Sequence, residues 1–164
     1  DSMTVSDYDR CVERYSDNLY RFALKSLRDG EQAKDIVQES FLRLWEKRSA
    51  VMAGKEKSYL FTVAYRLIVD HVRFGKRYAG GEALLERRRA PSGGGYDDLS
   101  DVIGRYLDRL PSRQKLLIML RDYEGYSYRE IADMTSLSEA QVKVYIFRAR
   151  VALKKSIGDL NDIL

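Results

Sequence analysis

The stretch SYREIADMTSLSEAQVKVYIFRARVALKK, residues 127–155, decides the reading of this chain. Ser127-Tyr128-Arg129-Glu130 is a capping box: Ser127 accepts the backbone N–H three residues on, and Glu130 reaches back. Ser138-Glu139-Ala140-Gln141 repeats the device eleven residues later. Ile131, Ala132 and Met134 lie between the boxes, followed by the break Thr135-Ser136-Leu137. Two helices capped this close together form a helix-turn-helix unit. The second helix carries Lys143, Arg148, Arg150, Lys154 and Lys155, with no carboxylate from Ala140 to Gly158. Val142, Ile146, Ala149 and Leu153 form its apolar stripe, and the basic remainder suits a phosphate surface. The N-terminal half of such a helix enters the major groove, which nominates Gln141, Lys143, Val144, Tyr145 and Arg148 as base-reading residues. A good bidentate pair is worth about 1–3 kcal/mol of discrimination. Arg150 and Lys154 are expected on phosphate or on nothing.

Upstream, helical periodicity continues. Residues 98–110 and a helix opened by Pro111-Ser112 place Leu99, Val102, Ile103, Tyr106, Leu110, Leu116, Leu117, Leu120 and Tyr123 inward, and Gly125 ends the second. Residues 78–98 have a different texture: Gly80-Gly81, Arg87-Arg88-Arg89, Pro91 and Gly93-Gly94-Gly95 give high backbone entropy and few apolar anchors. This segment reads as a flexible linker. Before it, three helices are expected. The first spans residues 6–28, with Asp29-Gly30 as its stop. The second spans 31–47 on Ala33, Ile36, Val37, Phe41, Leu44 and Trp45, the last read as core. The third runs from near Ser58 to Arg77 on Phe61, Ala64, Ile68 and Val72. The expected architecture is all-α: two small helical domains, 3–77 and 99–164, joined by a linker at 78–98.

Composition excludes several classes. Cys11 and His71 are the only residues of their kinds, so there is no intramolecular disulfide, no thiolate zinc cluster and no good basis for a Cys/His catalytic pair. No metal or cofactor is expected, and no constellation supports an enzyme. Cys11 is expected to pack as a small apolar residue. No apolar run approaches a membrane span and the first residues are polar and acidic, so no membrane insertion and a cytoplasmic location are expected. The net charge of +4 is too small for a protein that binds DNA by charge alone, so location matters more than total. Arg66, Asp70, Arg73, Lys76 and Arg77 form a mostly cationic stripe on the third helix. Asp35, Gln38, Glu39 and Leu42, at i, i+3, i+4 and i+7, share a polar, acidic face on the second, suited to docking a basic partner.

At these residues the chain resembles the extracytoplasmic-function (ECF) sigma factors, the two-domain promoter-specificity subunits of bacterial RNA polymerase. The resemblance rests on LYRFALKSLRDGEQAKDIVQESFLRLWEKR (19–48), on SYLFTVAYRLIVDHVRFGKR (58–77) and on LPSRQKLLIMLRDYEGYSYREIADMTSLSEAQVKVYIFRARVALKK (110–155), in family order. It implies that 3–77 is sigma region 2 and 99–164 sigma region 4. It further implies that Asp35, Gln38, Glu39 and Leu42 dock on the clamp helices of core polymerase. The third helix, with Arg66, Asp70, Arg73, Lys76 and Arg77, and the 46–57 loop would open and hold the −10 element, the loop capturing an unstacked base. Gln141, Lys143, Val144, Tyr145 and Arg148 would read the −35 element as duplex. An anti-sigma factor is an expected partner. Here Arg66 stands at a frequent Asn, Tyr59 at a usual Trp, and Ala140-Gln141-Val142-Lys143-Val144 replaces the common Gly-Thr-Val-Lys/Arg-Ser pattern. The competing reading is an autonomous helix-turn-helix regulator that dimerises or senses a ligand through its N-terminal helices.

Overall fold

The computed structural model describes residues 3–79 and 98–163, and side-chain surroundings for residues 3–73 and 103–158. Every regular element among them is helical: α1 (Val5–Leu27), α2 (Gly30–Glu46), α3 (Glu56–Ala79), α4 (Asp98–Asp108), α5 (Ser112–Ile118), a π turn (Met119–Tyr123), α6 (Tyr128–Thr135) and α7 (Glu139–Ile163). The chain divides into two compact units, Asp1–Ala90 and Pro91–Leu164. The expected linker begins at Tyr78, but α3 continues to Ala79. Residues 80–97, with Leu84, Leu85 and Arg87-Arg88-Arg89, lie outside the described residues, as do the side chains of Lys76 and Arg77.

In the first unit, α1, α2 and α3 pack on one another. Leu19, Phe22, Ala23 and Leu27 of α1 meet Ala33, Ile36, Phe41 and Leu44 of α2 and Leu60, Phe61, Ala64 and Ile68 of α3 in the core. Phe22 and Phe61 are fully buried, their rings 5.3 Å apart and crossed at 68°, the edge-to-face arrangement that aromatic quadrupoles favour. Cys11 is buried, as an apolar residue would be. Thr4 caps α1 and forms a capping box with Asp7.

Three local expectations are corrected. The α1 stop is not Gly30: Arg28 takes the left-handed conformation (φ 56°), and Asp29 instead caps α2, accepting from the N–H groups of Glu31 (3.0 Å) and Gln32 (3.1 Å). Gly30 is the first residue of α2, where a Cβ would come within 3.4 Å of the Tyr20 hydroxyl, so its small size serves the α1–α2 approach. Trp45 is not core. It is half-buried, with Tyr8 at its edge (5.1 Å) and the Arg48 guanidinium 4.0 Å above its ring. The third helix begins two residues earlier than Ser58, at Glu56.

In the second unit, Leu107, Leu110, Ile118 and Ala149 form a core cluster that Ile103, Ala152 and Leu153 border. Leu116, Leu117, Leu120, Ile131, Val142 and Ile146 are likewise buried. Lys115 is buried, 7% exposed, and its Nζ donates to Asp108 Oδ1 at 2.6 Å, tying α5 to the exposed end of α4. Tyr123 is not inward. The π turn inserts wider hydrogen bonding after Ile118, which rotates the residues beyond it off the α-helical register, and Tyr123 stands 46% exposed. Gly125 (φ 78°) then turns the chain into α6.

Candidate polymerase and nucleic-acid interfaces

Both capping boxes of the helix-turn-helix form. Ser127 Oγ accepts from the Glu130 N–H (3.0 Å) while Glu130 Oε1 accepts from the Ser127 N–H (2.9 Å). Ser138 Oγ accepts from the Gln141 N–H (3.1 Å) while Gln141 Oε1 accepts from the Ser138 N–H (2.9 Å). The turn between α6 and α7 closes on Ser136 in the left-handed conformation (φ 61°). With Val142, Ile146 and Ala149 buried, α7 has a fixed rotation about its axis.

That rotation divides the five residues nominated for base reading. Gln141, Val144, Tyr145 and Arg148 line one shallow depression together with Ala140. Gln141 reaches it with its carboxamide oxygen already committed to the cap. Lys143 lies elsewhere. Successive residues turn about 100°, so it sits about 200° from Gln141. It points to a flank where it pairs with Glu139 (3.7 Å) and lies 5.8 Å from the Tyr128 ring. Arg150, seven residues on, shares this flank and pairs with Asp122 at 2.7 Å, an internal partner that no local sequence pattern indicates. Asp122 raises the Arg150 pKa through that hydrogen bond, with Tyr128 adding to it. On the reading side, Arg113 of α5 brings its guanidinium 5.8 Å from the Tyr145 ring. Phe147, which no sequence rule singled out, is 68% exposed one turn beyond Val144.

On α3, Arg66, Asp70 and Arg73 are all exposed along one stripe, and Tyr59 continues it, half-buried, seven residues before Arg66. None of the ion pairs among the described residues involves them. Upstream, residues 47–55 form a series of turns closed by Gly54 (φ 87°), whose N–H donates to Glu56 Oε1 at 3.2 Å. Val51 and Ala53 of this segment face Cys11, Arg14 and Tyr15 of α1 across an open recess. Burial pushes the Cys11 thiol pKa up, and the Glu56 charge adds to the shift, which disfavours the thiolate.

On α2, Asp35, Gln38 and Leu42 are exposed and Glu39 is half-buried. The face is less acidic than its sequence: Glu39 Oε1 is paired with Arg43 Nε at 3.1 Å, and Leu42 puts 51% of its surface in solvent at the same place. The result is a mixed patch of one open carboxylate, one amide, one paired carboxylate and an apolar side chain. No group of three or more potential ligands for a metal occurs among the described residues.

Known proteins match the chain along nearly its whole length. The family model "Sigma-70 region 2" matches residues 11–78, and "Sigma-70, region 4" matches residues 100–153. The ECF RNA polymerase sigma factor SigM of Bacillus subtilis is 28% identical over 152 residues, covering 89% of this chain and 92% of its own. The ECF RNA polymerase sigma factor SigL of Mycobacterium tuberculosis is 28% identical over 150 residues, covering 87% of this chain and 84% of its own. Among solved structures, the sigma factor RpoE of Bartonella quintana, crystallised with the anti-sigma factor NepR, shares the fold with a TM-score of 0.75 at 22% identity, covering 94% of this chain and 98% of that one. With both sigma regions present in order and full-length relatives named for one function, the chain belongs to the ECF sigma factors and is an RNA polymerase sigma factor, a factor of transcription initiation.

Proposed function

We propose that the two units divide promoter recognition between them. The first, residues 3–77, docks on core polymerase through Asp35, Gln38, Glu39 and Leu42. It holds the −10 element on α3 through Arg66, Asp70 and Arg73, with Lys76 and Arg77 further along. The recess beside residues 47–55 takes an unstacked base, because a stacked base hides its edges. The second unit, residues 99–164, reads the −35 duplex with Gln141, Val144, Tyr145 and Arg148. Lys143 serves the phosphate flank instead, and Val144 and Phe147 are placed for thymine methyl groups. Residues 78–98 connect the two. Polymerase performs the chemistry, so the chain needs no catalytic group or cofactor of its own, and its work is cytoplasmic, where chromosome and polymerase are. The described helices include none long and apolar enough to cross a membrane.

The observation that carries this reading is the shared depression of Gln141, Val144, Tyr145 and Arg148 on a helix whose start is pinned by reciprocal caps. The competing regulator would need an apolar dimer face in the first unit, and the exposed α2 face carries Asp35 and Gln38 instead. An anti-sigma factor is a proposed partner, since the structural relative described above is itself held by one. The test is reconstitution with core bacterial polymerase. The double variant Gln38→Ala/Glu39→Ala is expected to lower affinity for core at least tenfold while circular dichroism and melting stay unchanged. Unaltered binding would remove α2 from the docking surface.

A further inference from the structure

The flank of α7 that turns away from the reading depression is built around one ring. Tyr128, the first residue of α6, has the Arg121 guanidinium 4.7 Å and the Lys143 ammonium 5.8 Å from its centroid. Arg121 is itself held, donating from Nη1 to the Tyr126 carbonyl at 3.0 Å. Arg150 joins the cluster from the fourth turn of α7, with Nη2 2.7 Å from Asp122 Oδ1. Asp122 belongs to the π turn, so its position depends on the same register shift that exposes Tyr123. Three cations thus surround one phenol, and a single carboxylate is seated against the member nearest the middle of the recognition helix.

A recognition helix lying in the major groove has a phosphate backbone along each flank. An unopposed arginine there would add affinity for any sequence, because phosphate contacts hold a protein on DNA without informing it of the bases. The Asp122 carboxylate presents to Arg150 one negative charge and two acceptor oxygens, as a backbone phosphate would. Both partners are near half-exposed, at 47% and 42%, so the pair stands where a backbone phosphate would compete for it. Lys143 is held less closely, with Glu139 3.7 Å away, and stays open to the phosphate it is proposed to serve. Arg148, on the reading side, has no ion pair among the described residues.

We propose that Asp122 is a specificity-determining residue: by occupying Arg150 it withholds a phosphate contact, lowering sequence-blind affinity while leaving the reading depression untouched. The inference rests on the proposed −35 role of α7 and adds to it how that helix keeps its specific and non-specific binding apart.

The experiment titrates the full chain onto a random-sequence DNA duplex, by fluorescence anisotropy, across a range of salt. Asp122→Asn keeps the shape of the side chain and removes its charge. It is expected to bind the duplex more tightly than the parent, and its logarithmic salt slope is expected to steepen by about 0.9, one added phosphate contact. The advantage should therefore shrink about 3.5-fold for each fourfold rise in salt. Asp122→Asn/Arg150→Gln should return to the affinity of Arg150→Gln alone, since the freed cation is then missing. A slope unchanged from the parent, or weaker binding by Asp122→Asn, would overturn the proposal and leave the pair as a structural tie. Arg148→Ala, assayed in reconstituted transcription from a −35-dependent promoter, tests the underlying reading separately: an indifferent Arg148 with a steepened Asp122→Asn slope would fault the base-reading assignment and not the masking.

Discussion

The first unit is built from three helices of 23, 17 and 24 residues, while the second sets its recognition helix with a seven-residue helix, a π turn and an eight-residue helix. Long helices with a shared core hold their faces in place by burial spread over many side chains. Their proposed functional residues are simply what the core leaves outside: the α2 patch and the α3 stripe. Short helices bury too little to be stable on their own. End devices of the kind that Thr4, Arg28 and Asp29 supply to the first unit therefore weigh more in the second: two reciprocal capping boxes, a left-handed turn residue, and the tie from buried Lys115 to Asp108. Charge follows the same division. Arg66 and Arg73 on α3 stand without ion pairs among the described residues, whereas Lys143 and Arg150 on α7 each have an internal carboxylate. Where helix position depends on a few local contacts, stray attraction to DNA is also held in check locally.

This contrast can be broken by substitution. The largest effect is expected from Phe22→Ala, which empties the Phe22–Phe61 contact and should cost the first unit about 3–5 kcal/mol. Denaturant unfolding followed by amide exchange should show the first unit melting early while residues 103–158 keep their protection. Joint loss of protection would mean that the units are not independent. Next comes Arg148→Ala, expected to cost about 1–3 kcal/mol of discrimination at one base pair of the −35 element with core binding unchanged. Transcription from promoters mutated at single −35 positions would show it, and equal use of all of them by parent and variant would remove Arg148 from the reading set.

A smaller and asymmetric effect should separate the caps. Ser138→Ala and Thr4→Ala each remove one N-cap acceptor, worth about 1 kcal/mol. In α7 the loss falls on the turn that carries Gln141, so −35-dependent transcription should drop, whereas Thr4→Ala should lower only the melting temperature. Comparable transcription from both variants would erase the contrast. The smallest effect is a gain: Ser136→Gly relieves a left-handed residue in the helix-turn-helix and should stabilise the second unit by up to about 1 kcal/mol, readable as a rise in its melting midpoint.

Much of the architecture was legible because its signals are short. Ser-x-x-Glu and Ser-x-x-Gln sit within one turn, and apolar stripes such as Phe61, Ala64, Ile68 and Val72 repeat at helical spacing, and all of these side chains are buried as read. The misreadings share a cause. Tyr123 continues a perfect stripe on paper, but the π turn moves it outward. Gly30 looks like a helix stop, while the tight approach of Tyr20 and the left-handed Arg28 give that role to its neighbour. Trp45 fits the α2 stripe, yet its ring lies at the edge of the core, beneath Arg48. In the candidate sites, i, i+3, i+4 and i+7 spacing placed Asp35, Gln38 and Leu42 together in solvent, and periodicity could equally have separated Lys143 from Gln141.

The chain's order of apolar stripes and helix caps determined by itself that it is all-helical and that a basic helix follows a tight turn, because those signals act between residues within a turn or two of one another. Only the tertiary structure decided which charges are open. Asp122 and Arg150 are 28 residues apart, and Asp108 and Lys115 belong to different helices. Such pairs exist because packing brings distant elements together, and no local pattern records which carboxylate a cation will find.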